Sequence, residues 1–284
     1  MALRQTLARE ITASGVALHA GAIVHMTLSP APAGHGIVFR RADLGADIPA
    51  RYDLVTETKL GTVISDGQGA SIGVIEHLMA AVAGAGVDDM LVTLDGPEPP
   101  ILDGDSLSYL NLIRSAGLKS QGVPRRSIKI LKRIEVQSGE ARVALSPAEA
   151  LTYECEIDFS SAAIGRQNFV LEFSGDAFAR EIAPARTFGF TKEFEALNAM
   201  GLARGASLDN TLAIDGDKVV NAGLLRFADE FVRHKILDAI GDMALAGAPL
   251  IARFQGSKSG HAVNNAALRA LFADPENYAM IETA

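Results

Sequence analysis

A chain of 284 residues is too long for one small core, and 48% apolar with 21% charged residues places it among folded globular proteins and not disordered ones. The formal net charge of −8 excludes a general nucleic-acid binder, which needs a basic stripe, but leaves room for a basic pocket around one anionic ligand. The one cysteine, Cys155, excludes an internal disulfide framework and a cysteine-based zinc site.

From the N-terminus, "MALRQTLAREITASG" has no long apolar segment, and no stretch approaches the length of a membrane span, so a soluble cytoplasmic protein is expected. Strand-like "IVHMTLSPAP" and "GIVFRR" come first. Then follow the strand "LGTVISD", the turn "DGQG", the helix "SIGVIEHLMAAVAGAG" with Ser71 as its cap, the strand "DDMLVTL" and the helix "SLSYLNLIRSAG". In "SAGLKSQGVPRR", Gly117, Gly122 and Pro124 read as breakers in a linker.

Beyond the linker, "RSIKILKRIEV", "ARVALSP" and "LTYECEIDF" are strand-like. The strand "NTLAID", the turn "DGDK", the helix in "LLRFADEFVRHKILDAIGDMAL", the strand "PLIARFQG" and the helix "HAVNNAALRALF" complete the chain. The repeated order of strand, helix, strand, helix implies an α+β fold of two similar layered α/β-sandwich domains, over residues 1–120 and 128–284 with a linker at 121–127. Corresponding helices packed face to face would put a site at the domain interface.

The helix in "LLRFADEFVRHKILDAIGDMAL" places His234, Asp238 and Asp242 at four-residue steps on one face, beside Phe227 and Phe231. Val232, Ile236, Ala239, Ile240 and Met243 form a core stripe opposite. The polar face is either solvated, as on any surface helix, or a metal platform, since an imidazole and a carboxylate four residues apart can share one ion.

The six histidines differ in setting. His25 in a strand and His35 in a turn read as structural or exposed; His19, just before a turn, reads as structural or as facing a ligand from its loop. His77 lies early in its helix directly after Glu76, and adjacent helical residues diverge by about 100°, so the two would divide labour rather than share an ion. With His77 as a ligand, Glu76 would stand to one side as a general base. His261 follows Ser259 and Gly260 into the last helix with Lys258 beside it, a plausible anion site or proton donor, or simply a polar residue near a cap. His77, His234 and Asp238 together make three ligands with a fourth position open, as catalytic zinc requires.

The stretches "ASGVALHAG", "IEHLMAAVAGAGVDDM", "ILDGD", "ARTFGF", "LRFADEFVRHKILDAIGD" and "KSGHAVNN" closely resemble the UDP-3-O-acyl-N-acetylglucosamine deacetylases, zinc amidohydrolases of lipid A biosynthesis in Gram-negative bacteria. The resemblance runs in order over essentially the whole chain. Small departures occur at Ala17, Ala20 and Val263, and none touches a presumed catalytic group.

The resemblance implies zinc ligands at His77, His234 and Asp238, a general base at Glu76, and a second catalytic histidine at His261 oriented by Asp242. Thr187 would stabilise the oxyanion. Lys235 and Lys258 would meet the diphosphate of a UDP-linked acylated amino sugar, Phe159 would carry the uracil ring, and Phe188 and His19 would complete the substrate site. An insert near 191–214 would form an apolar passage for the acyl chain, with Leu197, Met200, Gly201 and Leu202 as its wall or, equally, as plain local core. Fe²⁺ can substitute for Zn²⁺ in such a ligand set, and the family implies a monomer. The rival readings are a non-catalytic binding protein with a buried polar network between domains, and a zinc hydrolase acting on a different acetylated or acylated sugar or a fusion-family dehydratase relative.

Overall fold

A computed structural model describes residues 1–221 and 225–283. Two five-stranded sheets dominate. The first is built from β1 (Ile11–Val16), β2 (Ile23–Pro30), β3 (Ile37–Arg41), β4 (Ala46–Pro49) and β5 (Met90–Leu94), in the order β1-β2-β5-β3-β4. The second comprises β6 (Ile134–Ser138), β7 (Ala141–Ser146), β8 (Thr152–Asp158), β9 (Arg166–Glu172) and β10 (Arg253–Ser257), in the order β6-β7-β10-β8-β9. In each sheet the last strand in sequence is central, parallel to one neighbour and antiparallel to the other. The two halves therefore share one topology, and the chain is an α+β fold of two similar domains, as the repeated order of elements implies.

Each half also carries a small three-stranded insert ahead of its main helix: Val55–Glu57, Val63–Ser65 and Ser71–Ile72 in the first, and Phe188–Phe190, Leu212–Asp215 and Lys218–Val219 in the second. The helices are α1 (Glu76–Ala85), α2 (Leu107–Ala116), α3 (Thr191–Ala199), α4 (Glu230–Ala244) and α5 (His261–Phe272), beside shorter turns. Strands with alternate buried positions, such as Val24, Met26 and Leu28 of β2, lay their apolar faces against this helical layer.

Helices α1 and α4 meet at the centre. A Cβ at Gly241 would stand 2.0 Å from the Glu76 carbonyl oxygen, so the two backbones approach as only glycine allows. Ile240 and Met243 of α4 join Leu78 and Val82 of α1 in one core cluster.

Several local expectations are corrected. Ser71 does not cap α1: it lies in a short strand, and Val74 turns the chain through a positive φ of 54° before Ile75 occupies the cap position. The segment read as a linker is ordered strand. Leu118–Pro124 pairs antiparallel with Leu3–Leu7 around a bulge near Gly122, and Arg126–Ile130 pairs with Leu250–Ile251 and Tyr278–Glu282. The stretch "PLIARFQG" divides between two sheets. Helix α4 starts at Glu230, because the buried Glu230 carboxylate takes the Arg226 N–H at 2.7 Å and the Arg186 guanidinium at 2.9 Å, which fixes residues 225–229 as a non-helical lead-in. Phe227 thus precedes the helix, with its ring under the Arg233 guanidinium. Leu224, the first residue of the stretch read as helix, lies outside the described residues. Among the described residues no helix is long and apolar enough to cross a membrane.

Candidate active site

The polar face of α4 is not solvated. His234, Asp238 and Asp242 are each no more than 4% exposed, as buried as the core stripe opposite them. A helix buried all round must find partners for its polar residues, and these come from α1, α5 and the first insert.

The two imidazoles and one carboxylate converge. His234 Nε2 lies 3.3 Å and His77 Nε2 3.7 Å from Asp238 Oδ1, and the rings stand nearly perpendicular with centroids 4.9 Å apart. Ligand atoms of all three residues lie within 4.8 Å of one another. His234 donates through Nδ1 to the Ala185 carbonyl at 3.0 Å, which leaves the lone pair on Nε2 facing Asp238.

Burial pushes the His77 imidazole down to about 3, and it lowers His234 against the opposing pull of Asp238, so both rings are neutral. For Asp238, burial raises the carboxyl, but the Lys235 ammonium overcomes it and holds the group ionised. Two neutral imidazoles and a carboxylate, turned toward one point in a buried setting, are a donor set that fits a divalent cation with a position left for a further ligand.

A second group of residues flanks the first. His261 begins α5; its Nδ1 lies 2.9 Å from Asp242 Oδ2, and its Nε2 lies 3.7 Å from Glu76 Oε1. Burial works against the imidazolium, yet the Asp242 and Glu76 carboxylates prevail and raise His261 to about 9. Glu76 moves the other way from a usual carboxyl: burial lifts it to about 7, against the pull of His261. The pair therefore offers a proton acceptor and a proton donor side by side near neutral pH.

Glu76, His77, His234, Asp238 and His261 line a cleft of about 480 Å³ together with Leu18, Lys59, Leu60, Phe159, Thr187, Phe188, Lys235 and Lys258. The Lys235 ammonium sits on the second oxygen of Asp238 at 2.7 Å. Lys258 reaches the rim between Glu140 at 3.0 Å and Asp158 at 3.3 Å. Phe159 stands edge-on to Phe188, which in turn meets Phe231 and His234.

Thr187, Phe188, Leu18 and Leu60 also border an adjoining cavity of about 520 Å³, lined by Phe190, Phe194, Leu197 and Leu208 of the second insert. Of the four residues expected to wall an apolar passage, Leu197 lines this cavity. Met200, Gly201 and Leu202 lie off it, and Met200 is 59% exposed. No residue of α3 is buried, so the helix covers the cavity from one side without a core of its own.

His19 borders the same cavity with both ring nitrogens engaged: Nδ1 accepts from the Ala203 amide at 3.3 Å and Nε2 donates to the Leu60 carbonyl at 3.1 Å. It clasps the two inserts together. Sequence reasoning missed Thr62, whose hydroxyl donates to Asp242 Oδ1 at 2.6 Å, and Asn264, whose amide donates to Asp242 Oδ2 at 2.8 Å. Asn264 was detectable, being one helical turn after His261 and on its face; nothing around Thr62 marks it.

Comparison with known proteins shows the family. The sequence model of the UDP-3-O-acyl N-acetylglycosamine deacetylase family matches residues 4–273. A UDP-3-O-acyl-N-acetylglucosamine deacetylase of Myxococcus xanthus is 46% identical over 280 residues, covering 98% of this chain and 89% of the relative. Its namesake in Phenylobacterium zucineum is 49% identical over 266 residues (93% and 91%), and that of Neisseria meningitidis 43% identical over 288 residues (99% and 94%). With the match running through both inserts and all five helices, the chain belongs to the UDP-3-O-acyl-N-acetylglucosamine deacetylase family.

Proposed function

We propose that the chain is a zinc-dependent amidohydrolase that removes the N-acetyl group of UDP-3-O-acyl-N-acetylglucosamine as acetate, the committed step of lipid A biosynthesis. The observation that carries this reading is the adjacency of the His77, His234 and Asp238 donor set to the Glu76 and His261 pair in one cleft. His77, His234 and Asp238 would hold a Zn²⁺, or an Fe²⁺ in its place, which would supply Lewis acidity, lowering the pKa of water toward neutrality and polarising the acetamide carbonyl.

The residues divide the remaining work. Glu76, with its carboxyl balanced near neutrality, takes the proton of the attacking water. Thr187, on the cleft wall, directs its hydroxyl at the oxyanion of the tetrahedral intermediate. His261, held protonated by Asp242, gives its proton to the sugar nitrogen as the C–N bond breaks, because an amine leaves poorly unless protonated. Acetate and a free amino sugar result: the acetic acid formed loses its proton to solvent, and the proton that Glu76 took returns to His261, restoring both groups for the next turnover.

The two adjoining spaces suit the parts of the substrate. The apolar cavity beyond Phe188 suits the acyl chain, and the rim bearing Lys258 and Phe159 suits the diphosphate and uracil. Lys235 contributes by neutralising Asp238 while facing the cleft. We assign the domains to residues 1–124 and 126–284, the expected linker at 121–127 being divided between the strands Leu118–Pro124 and Arg126–Ile130, and a cytoplasmic monomer accords with this reading. Acetate release from the UDP-linked acyl-N-acetylglucosamine, abolished by chelation and restored by Zn²⁺, tests it; a chain that binds the substrate without releasing acetate would be a binding protein instead.

A further inference from the structure

Thr62 stands where the proton acceptor and proton donor meet. It is 2% exposed, on the loop just ahead of the strand Val63–Ser65. Its backbone N–H donates to Glu76 Oε2 at 2.9 Å and its hydroxyl to Asp242 Oδ1 at 2.6 Å. The other Asp242 oxygen takes His261 Nδ1 at 2.9 Å and the Asn264 amide at 2.8 Å. One side chain and its own amide therefore touch both carboxylates.

The approach depends on the residue before it. Gly61 has φ of 149°, and a Cβ there would come within 2.9 Å of Glu76 Oε1, the oxygen that faces His261. The loop is thus built to bring Thr62 against Glu76 without displacing it. A buried carboxylate turns about its Cβ–Cγ bond unless both oxygens are held. With Oδ1 fixed by the hydroxyl, Oδ2 is fixed on His261 Nδ1, and the imidazole keeps Nε2 toward Glu76.

We propose that Thr62 is a positioning residue for the deacetylation, its hydroxyl locking Asp242 so that His261 is aimed at the departing nitrogen, and its amide holding the oxygen of Glu76 turned away from His261. The catalytic consequence rests on the function proposed above; the positioning itself is measurable without turnover.

The test uses the metal-loaded enzyme and the variants Thr62→Val, Thr62→Ser, His261→Ala and Thr62→Val with His261→Ala. The Nδ1 proton of His261, assigned by its loss in His261→Ala, is followed by NMR beside kcat, KM and metal content. Thr62→Val should keep its metal and its KM, lose the sharp Nδ1 resonance, and lower kcat by about 10- to 100-fold, the range for a hydrogen bond to a charged group. Thr62→Ser should restore both signal and kcat. In the His261→Ala background the Val substitution should cost less than about twofold, because the hydroxyl acts through that ring. Thr62→Ala removes the same hydroxyl should the Val variant not fold. A wild-type Nδ1 signal and kcat in Thr62→Val, or the same loss of kcat with and without His261, would overturn the proposal. If the parent enzyme releases no acetate while Thr62→Val still loses the Nδ1 signal, the positioning stands and the function proposed above falls.

Discussion

His261 Nδ1 lies 2.9 Å from Asp242 Oδ2, on the far side of the ring from Glu76. A proton on that ring is stabilised from both sides, which is why His261 rises to about 9 although burial opposes the charge. An acid of this kind works only while protonated, so kcat/KM should fall as pH rises through about 9. Asp242→Asn removes the carboxylate that raises the imidazole, so the alkaline limb should move to lower pH. An unmoved limb measured in that variant would mean another group titrates there.

Glu76 and His77 are neighbours in sequence to which the proposed function gives different tasks. Glu76→Gln removes the proton acceptor and leaves His77, His234 and Asp238 in place. Metal content should stay at the wild-type level while kcat drops by about 10² to 10⁴, the usual contribution of a general base. Parallel metal analysis and steady-state kinetics check this, and full turnover in Glu76→Gln would remove the assigned base.

The contact of α1 with α4 through Gly241 predicts a stability effect. In Gly241→Ala the new methyl would overlap the Glu76 carbonyl oxygen, 2.0 Å from its ideal position, and the helices must part. Overpacking of this kind costs about 1–3 kcal/mol. The midpoint of urea denaturation should fall, and metal affinity with it, because the two helices carry the proposed ligands between them.

The cavity over Phe188 and Leu197 predicts selectivity. Ala206 lines it, and Ala206→Phe would fill the space of several methylenes. At about 0.8 kcal/mol per methylene, displacing two of them should raise KM for a long-chain substrate about tenfold. A substrate shortened by the same length should be unaffected. Equal losses for both substrates would place the acyl chain elsewhere.

How far the sequence reveals all this depends on the range of the interactions. The duplicated order of elements is carried by local periodicity and turns, and both five-stranded sheets follow it. The convergence of His77 with His234 and Asp238 is readable as a pattern on α4 plus a helix in the matching place of the other half. What periodicity does not carry is contact across the interface. The burial of the polar face of α4 depends on α5 and the first insert closing over it, which no spacing within α4 encodes. Ser71 looks like a cap because its local sequence suits one, but pairing with Ser65 draws it into a strand. Gly122 and Pro124 look like breakers, and the bulge that accommodates them needs Leu3–Leu7 as a partner distant in the chain. Met200 and Leu202 lie beyond the wall of the cavity because α3 ends at Ala199 and the chain turns at Gly201 with φ of 81°.

The central claim is that α4 is a metal platform serving an amide hydrolysis. Its most direct test is metal analysis of the wild-type protein beside His234→Ala, paired with acetate release from UDP-3-O-acyl-N-acetylglucosamine. The wild type should carry about one zinc or iron per chain, in line with a single three-ligand site, and metal and acetate release should be lost together in the variant. A wild type that carries no metal and a His234→Ala variant that matches it in every respect would contradict the account and leave the buried polar face of α4 as a structural network.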